Sequence, residues 1–170
     1  MTDYFATLGL PRRLELELAT LNQHYRQLSW DNHPDLRPRI EQAAAMAQTA
    51  QINEAYRTLK DPFRRAQHLL ELEGIPLEQK PPQALLVEVF ELQELLEDPD
   101  TLETQLQAQQ AYWQRRTEQL TVDLDSAFSQ WDQDGKAALL VLKDILVQRT
   151  YLFSLLEKID AALQAKRAGQ

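Results

Sequence analysis

The 170-residue chain contains no cysteine. Disulfides, thiolate metal sites, cysteine-ligated iron–sulfur clusters and cysteine nucleophiles are therefore excluded within it. Its three histidines, His24, His33 and His68, are too few and too scattered for a multi-histidine metal centre. Four glycines are too few for phosphate-cradling loops or for a turn-dense β architecture. No apolar run is long enough to cross a bilayer, and the start, Met1-Thr2-Asp3-Tyr4, has an acid where an export signal carries cations. A cytoplasmic location is the expectation. Cations are also scarce, 18 against 26 acids, a net charge of −8. Such a field repels nucleic acid and anionic membrane, so neither is expected as a partner. No nucleophile–base, metal or phosphate-loop constellation is present, so no catalytic residue, no metal and no cofactor is expected, and the chain does not read as an enzyme.

What is present is an apolar content of 44% and a charged content of 26%, the profile of a globular protein with a sizeable core. Nearly all of it follows helical period, with no strand alternation and no internal repeat. Gly9-Leu10-Pro11 closes a short first segment, and Asp61-Pro62 opens a helix with Asp as N-cap and Pro in its first turn. Gly74 and Pro76 end that helix, and Pro81-Pro82, Asp98-Pro99-Asp100 and Asp134-Gly135 punctuate the second half. Leu14, Leu18, Leu21, Tyr25 and Leu28 form one apolar stripe, and Ile40, Ala44, Ala47, Gln51, Ala55 and Leu59 a facing one. Together they predict an antiparallel helical hairpin with His33-Pro34-Asp35 near its tip. Farther on, Leu102, Leu106, Gln109, Trp113, Leu120, Leu124, Ala127 and Trp131 mark a long helix, and Leu142, Ile145, Leu152, Leu156, Ile159 and Leu163 a final one. With a helix around residues 83–97 they predict a three-helix bundle. The acidity belongs to this second half: no Lys or Arg occurs between Pro81 and Gln114.

His33-Pro34-Asp35 has little specificity alone, since a proline after a helix followed by an acid is also an ordinary helix stop. Its context adds information. Asp3-Tyr4-Phe5, Leu8-Gly9-Leu10-Pro11, a helix, the tripeptide, and a second helix running into Ile52-Asn53-Glu54-Ala55-Tyr56-Arg57-Thr58-Leu59 together resemble a J domain. With Asp61-Pro62-Phe63-Arg64-Arg65-Ala66-Gln67-His68-Leu69-Leu70 and an acidic helical second half, the whole chain resembles the HscB family, the J-type co-chaperones of iron–sulfur cluster assembly. That resemblance implies that His33, Pro34 and Asp35 engage a DnaK/HscA-type ATPase chaperone and stimulate its ATP hydrolysis, with Arg26, His24 and Arg37 as neighbouring contacts. The chain departs from the family in the helix before the loop, which carries only Arg26 and His24 where relatives present several cations; Arg37 and Arg39 come after the loop instead. Weaker electrostatic steering is the expected consequence.

The helix over residues 85–98 has two faces. At about 100° per residue from Leu86, Leu85, Val89, Leu92 and Leu96 fall between about 240° and 300°, a core stripe. Leu86, Val87, Phe90, Glu91, Glu94 and Asp98 fall between about 0° and 140°, apolar at one border and acidic at the other. A bundle helix needs only the first, so the second predicts either a protein-binding patch or a contact with the first half of the chain. The HscB resemblance implies the former: an IscU-type scaffold protein bound through Leu86, Val87, Phe90, Glu91, Glu94 and Asp98, with Tyr151 as a further contact.

Trp113 and Trp131 fall on the bundle seam, whereas Trp30 near the loop is ambiguous. His24 and His68 read as surface or boundary residues, and Arg57, Lys60, Arg64 and Arg65 as solvated charges. Glu91 and Glu94 lack the pocket that acid–base catalysis requires. The expectation is thus an all-α, monomeric protein: a J domain over 1–75, a linker over 76–82 and a three-helix bundle over 83–170. A J protein serving another client, or a plain helical interaction module, are the alternatives.

Overall fold

A computed structural model describes residues 2–77, 80 and 83–168. Pro81-Pro82 lie outside the described residues. Seven α-helices occur among those described: α1 (Tyr4–Thr7), α2 (Leu18–Asp31), α3 (Gln42–Lys60), α4 (Pro62–Leu72), α5 (Gln83–Glu97), α6 (Glu103–Asp134) and α7 (Ala138–Ala168). No strand occurs among the described residues. One-turn 3₁₀ segments cover Pro34–Leu36 and Gly135–Ala137. Two compact units divide the chain: Met1–Pro76 with Ala127–Leu139, and Leu77–Ser126 with Leu140–Gln170.

In the first unit the punctuation acts as its chemistry requires. Asp3 caps α1 by accepting from the amides of Phe5 and Ala6 at 3.0 and 3.2 Å. Asp61 caps α4 in the same way, with Pro62 in the first turn. Gly74 ends α4 with φ +71°, while the Ile75 amide reaches back to the Leu70 carbonyl at 2.8 Å. That is a left-handed termination a side chain at this position would strain. Helices α2 and α3 are antiparallel. Tyr25 Oη donates to Asn53 at 2.9 Å and Tyr56 Oη to Asn22 at 2.8 Å, and the two rings stack 4.1 Å apart. Phe5, Leu8, Leu21, Ile52, Ala55 and Leu59 fill the core between α1 and this hairpin.

Both predicted stripes of the hairpin need correction. Helix α2 begins at Leu18, so Leu14 lies ahead of it, in a segment whose Leu14 and Glu15 amides both donate to the Asp132 carboxylate at 3.0 Å. Leu14 is still fully buried, whereas Leu18, in the opening turn, is 51% exposed. On α3 the buried residues are Ala45, Ile52, Ala55, Thr58 and Leu59. Ala44, Ala47 and Gln51 are exposed, and Ile40 precedes the helix. The predicted steps from 40 to 59 take 19 residues for five turns, while 3.6 residues per turn needs about 18, so the stripe winds around the helix and meets the core only at Ala55 and Leu59.

Arg65, read as a solvated charge, and His68, read as a surface or boundary residue, are both core residues. Arg65 is buried, donates to the Leu59 carbonyl at 2.7 Å and lies over the Phe128 ring. His68 is buried, stacks on Tyr4, and accepts from the Tyr4 amide at 3.1 Å through Nε2. The end of α6 belongs to this unit too, through Phe128, Asp132 and a Ser129–Glu15 hydrogen bond. Trp131, expected on the bundle seam, is half-buried within that same stretch.

The second unit is built from α5 and most of α6 and α7. Leu85, Leu92, Leu106, Trp113, Leu124, Leu142, Leu152 and Ile159 are buried, close to the predicted stripes; Leu102, placed on the α6 stripe, is instead 63% exposed just ahead of the helix. Antiparallel pairing of α6 with α7 is marked at the rim by Gln110–Asp160 and Glu103–Arg167. Glu88 of α5 accepts from Tyr112 and Arg116 of α6 at 2.6 Å each.

Candidate functional site: an exposed tripeptide loop and a two-faced helix

The tripeptide occupies the end of the α2–α3 hairpin. His33 is extended, with φ −63° and ψ 126°, as the residue before a proline must be. Pro34–Leu36 then form a single 3₁₀ turn, closed by the Leu36 amide on the His33 carbonyl at 3.0 Å. The Asp35 amide donates to His33 Nδ1 at 3.3 Å, and the two side chains approach to 3.8 Å. An Nδ1 that accepts this bond leaves the proton of the neutral ring on Nε2. The side chains are open to solvent, 52% for His33 and 87% for Asp35. The loop is thus a preformed turn presenting an imidazole and a carboxylate outward.

The flanking cations differ in what they can offer. Arg26 is exposed and lines a shallow groove with Ala19, Asn22, Gln23 and Gln27. His24 is half-buried, and its Nδ1 donates to the Leu8 carbonyl at 2.9 Å, so its ring ties α2 to the end of α1. Arg37 is exposed, yet its guanidinium donates to the Asp31 carbonyl at 2.6 Å. Apolar residues surround the tip: Leu36, which no sequence pattern singles out, is 58% exposed, Ile40, expected on the facing stripe, is 91% exposed, and Trp30 is 70% exposed.

On α5, Leu85 and Leu92 are buried while Val89 and Leu96 are half-buried. Val87 and Phe90 are 61% and 62% exposed, and Glu91, Glu94 and Asp98 are exposed with them. Leu86, read as exposed, is half-buried. It lies nearest the core stripe of the second set, so the edge of the bundle covers it. Glu88, between the two faces, is held by the second unit itself. Burial raises its carboxyl pKa, but hydrogen bonds from Tyr112 and Arg116 and the Arg116 charge outweigh burial and leave it below the ordinary value. Tyr151 on α7 is half-buried; Phe153, about 200° around the helix from it, is 44% exposed with the Arg149 guanidinium over its ring.

The description "DnaJ domain" fits residues 3–68, and "HSCB C-terminal oligomerisation domain" fits residues 81–160. Curated relatives from two Vibrio cholerae serotype O1 strains, each named co-chaperone protein HscB homolog, are 42% identical over 103 residues. That alignment spans 56% of this chain and 60% of each relative. Among solved structures, the chaperone HscB from Vibrio cholerae is 30% identical, with a TM-score of 0.67, over 96% of this chain and 99% of that one. The human co-chaperone protein HscB is 26% identical, with a TM-score of 0.71, over 95% of this chain and 82% of that one. An N-terminal J domain with the tripeptide on its hairpin, a C-terminal helical domain and a near-complete structural match at this identity mean that the chain belongs to the HscB family.

Proposed function

We propose that the protein is a J-type co-chaperone of iron–sulfur cluster assembly, which stimulates a DnaK/HscA-type ATPase through His33-Pro34-Asp35 and delivers an IscU-type scaffold protein to it. The reading leans on one observation above others: His33 and Asp35 point away from their own hairpin, with 52% and 87% of their side chains open. A turn that merely reversed the chain would have no need to present both groups outward. The co-chaperone performs no bond chemistry of its own. It favours one conformational state of the ATPase by binding that state better, and its effect is bounded by that difference in affinity. Arg26 contributes a cation beside the loop, with His24 fixing α2 against α1.

The scaffold would be held by the exposed set on α5, namely Val87, Phe90, Glu91, Glu94 and Asp98, with Leu86 at the border and Tyr151 extending the contact to α7. An aromatic anchor among carboxylates suits a partner with an apolar pocket rimmed by cations. The scaffold would supply the cysteines this chain lacks. Carrying trigger and client on one chain turns capture into a quasi-intramolecular step. Single-turnover ATPase assays with such a chaperone test the reading. Wild type should accelerate hydrolysis and His33→Gln should not; no acceleration by wild type, or equal acceleration by the variant, defeats it.

A further inference from the structure

The tripeptide turn is tied down by two side chains that are not part of it. Thr49 of α3 donates its hydroxyl to the carbonyl of Asn32, the residue before His33, at 3.1 Å. Arg37 reaches back from beyond the turn to the carbonyl of Asp31, the last residue of α2, at 2.6 Å. The Asp31 carbonyl is one of those a helix leaves without a partner at its C-terminus, and a guanidinium there also sits at the negative end of the helix dipole. Asn32 strengthens the same corner by donating from Nδ2 to the Leu28 carbonyl at 2.8 Å. The Arg37–Asp31 tie is exposed, where water could satisfy the carbonyl instead, so there the guanidinium serves order rather than solvation.

We propose that Arg37 and Thr49 are positioning residues that staple the turn, and that Arg37 acts by holding the loop rather than by meeting the ATPase with its charge. The inference rests on the chaperone reading above. A stapled turn meets its partner with its ordering cost already met, and this favours affinity. A contact cation would chiefly affect association rate and its salt dependence. The two roles are therefore separable.

The test uses the full-length chain as wild type, Arg37→Ala, Thr49→Val and Thr49→Ser, with circular dichroism to verify folding. In the free protein, the heteronuclear NOE of the Asp35 and Leu36 amides should fall in Arg37→Ala and Thr49→Val and recover in Thr49→Ser. In the ATPase assay, both disruptive variants should need about three- to tenfold more co-chaperone for half-maximal stimulation, the worth of one hydrogen bond. Maximal stimulation and salt dependence should match wild type. An effect confined to Arg37→Ala with a flattened salt dependence would make Arg37 a contact cation and overturn the proposal. So would loop order unchanged in both variants, or loop order lost with stimulation untouched. Absence of stimulation by wild type would instead remove the co-chaperone reading, and the relaxation data would still decide whether the staple exists.

Discussion

The two units use opposite devices to present a surface. In the first, Met1–Pro76 with Ala127–Leu139, 10 basic and 12 acidic side chains nearly cancel, and the candidate site is a loop three residues long. Order there comes from outside the site: capped helices, stacked Tyr25 and Tyr56, and ties from Thr49 and Arg37. The second unit, Leu77–Ser126 with Leu140–Gln170, carries 8 basic and 14 acidic side chains, and its candidate site is one side of a helix. Here order is inherited, because burying Leu85 and Leu92, with Glu88 bonded to Tyr112 and Arg116, fixes the exposed face of α5 without any tie from the exposed residues themselves being needed. A loop site must be held residue by residue, whereas a helix-face site is positioned as soon as its other face packs.

This contrast can be broken from either side. The largest effect should come from Trp113→Ala, which removes a 1%-exposed indole from the second unit and should cost about 3–5 kcal/mol of stability in denaturant unfolding. Stimulation of the ATPase by material that remains folded should survive; joint loss of both activities would show that the units are not energetically separable. Next, Val87→Ala with Phe90→Ala should weaken scaffold binding by about 2–4 kcal/mol in calorimetry and leave the unfolding midpoint nearly unchanged. If stability falls as much as affinity, these side chains are packing rather than presenting.

A smaller effect is expected from Asp132→Ala, whose carboxylate accepts from the Leu14 and Glu15 amides. Losing two charge-assisted bonds should cost about 1.5–3 kcal/mol, and hydrogen exchange should place the loss in the first unit although the mutation is at the end of α6. Protection lost in α5 instead would contradict the division of the chain.

The pH response sharpens the same comparison. Burial depresses the pKa of His68 below its ordinary 6.5, with Arg12 adding to the effect and the Glu71 and Asp3 charges opposing it. The unfolded state therefore binds the proton first, and the first unit should lose stability as pH falls below about 6.5, down to the folded-state pKa. Glu88, depressed below its ordinary 4.5, contributes to the second unit above that value and loses its contribution as pH falls further. Hydrogen exchange on lowering pH should thus loosen α1 and α4 before α5 and α6. Gln at position 68 can still accept from the Tyr4 amide without titrating, so His68→Gln should remove the earlier step; an unchanged profile would exclude His68 as its source.

How far the sequence reaches is visible in particular residues. Asp3, Asp61, Gly9 and Gly74 announce helix ends because capping and positive φ are local matters, decided within four residues. The tripeptide loop and the two-faced α5 were legible for the same reason. Leu86 lies nearer the core stripe than Phe90 by about 40°, but the angle does not say how far the bundle's edge extends; it reaches Leu86 and stops short of Phe90. Arg65 and His68 were misjudged because a charged or titratable type is usually exposed; what buries them is Phe128 in one case and Tyr4 in the other, each more than 60 residues away.

By itself the sequence determined an all-α chain, where most of its helices begin and end, an outward turn at His33-Pro34-Asp35 and an acidic second half, since each comes from backbone preference, periodicity or charge over a short span. Only the tertiary structure decided that α2 starts at Leu18, that α3 turns Ala45 and Ile52 rather than Ala44 and Gln51 inward, and that the end of α6 completes the first unit. These depend on which distant group meets a given amide or side chain, the Asp132 carboxylate at the Leu14 amide above all, and a pairing 118 residues apart leaves no trace in local pattern.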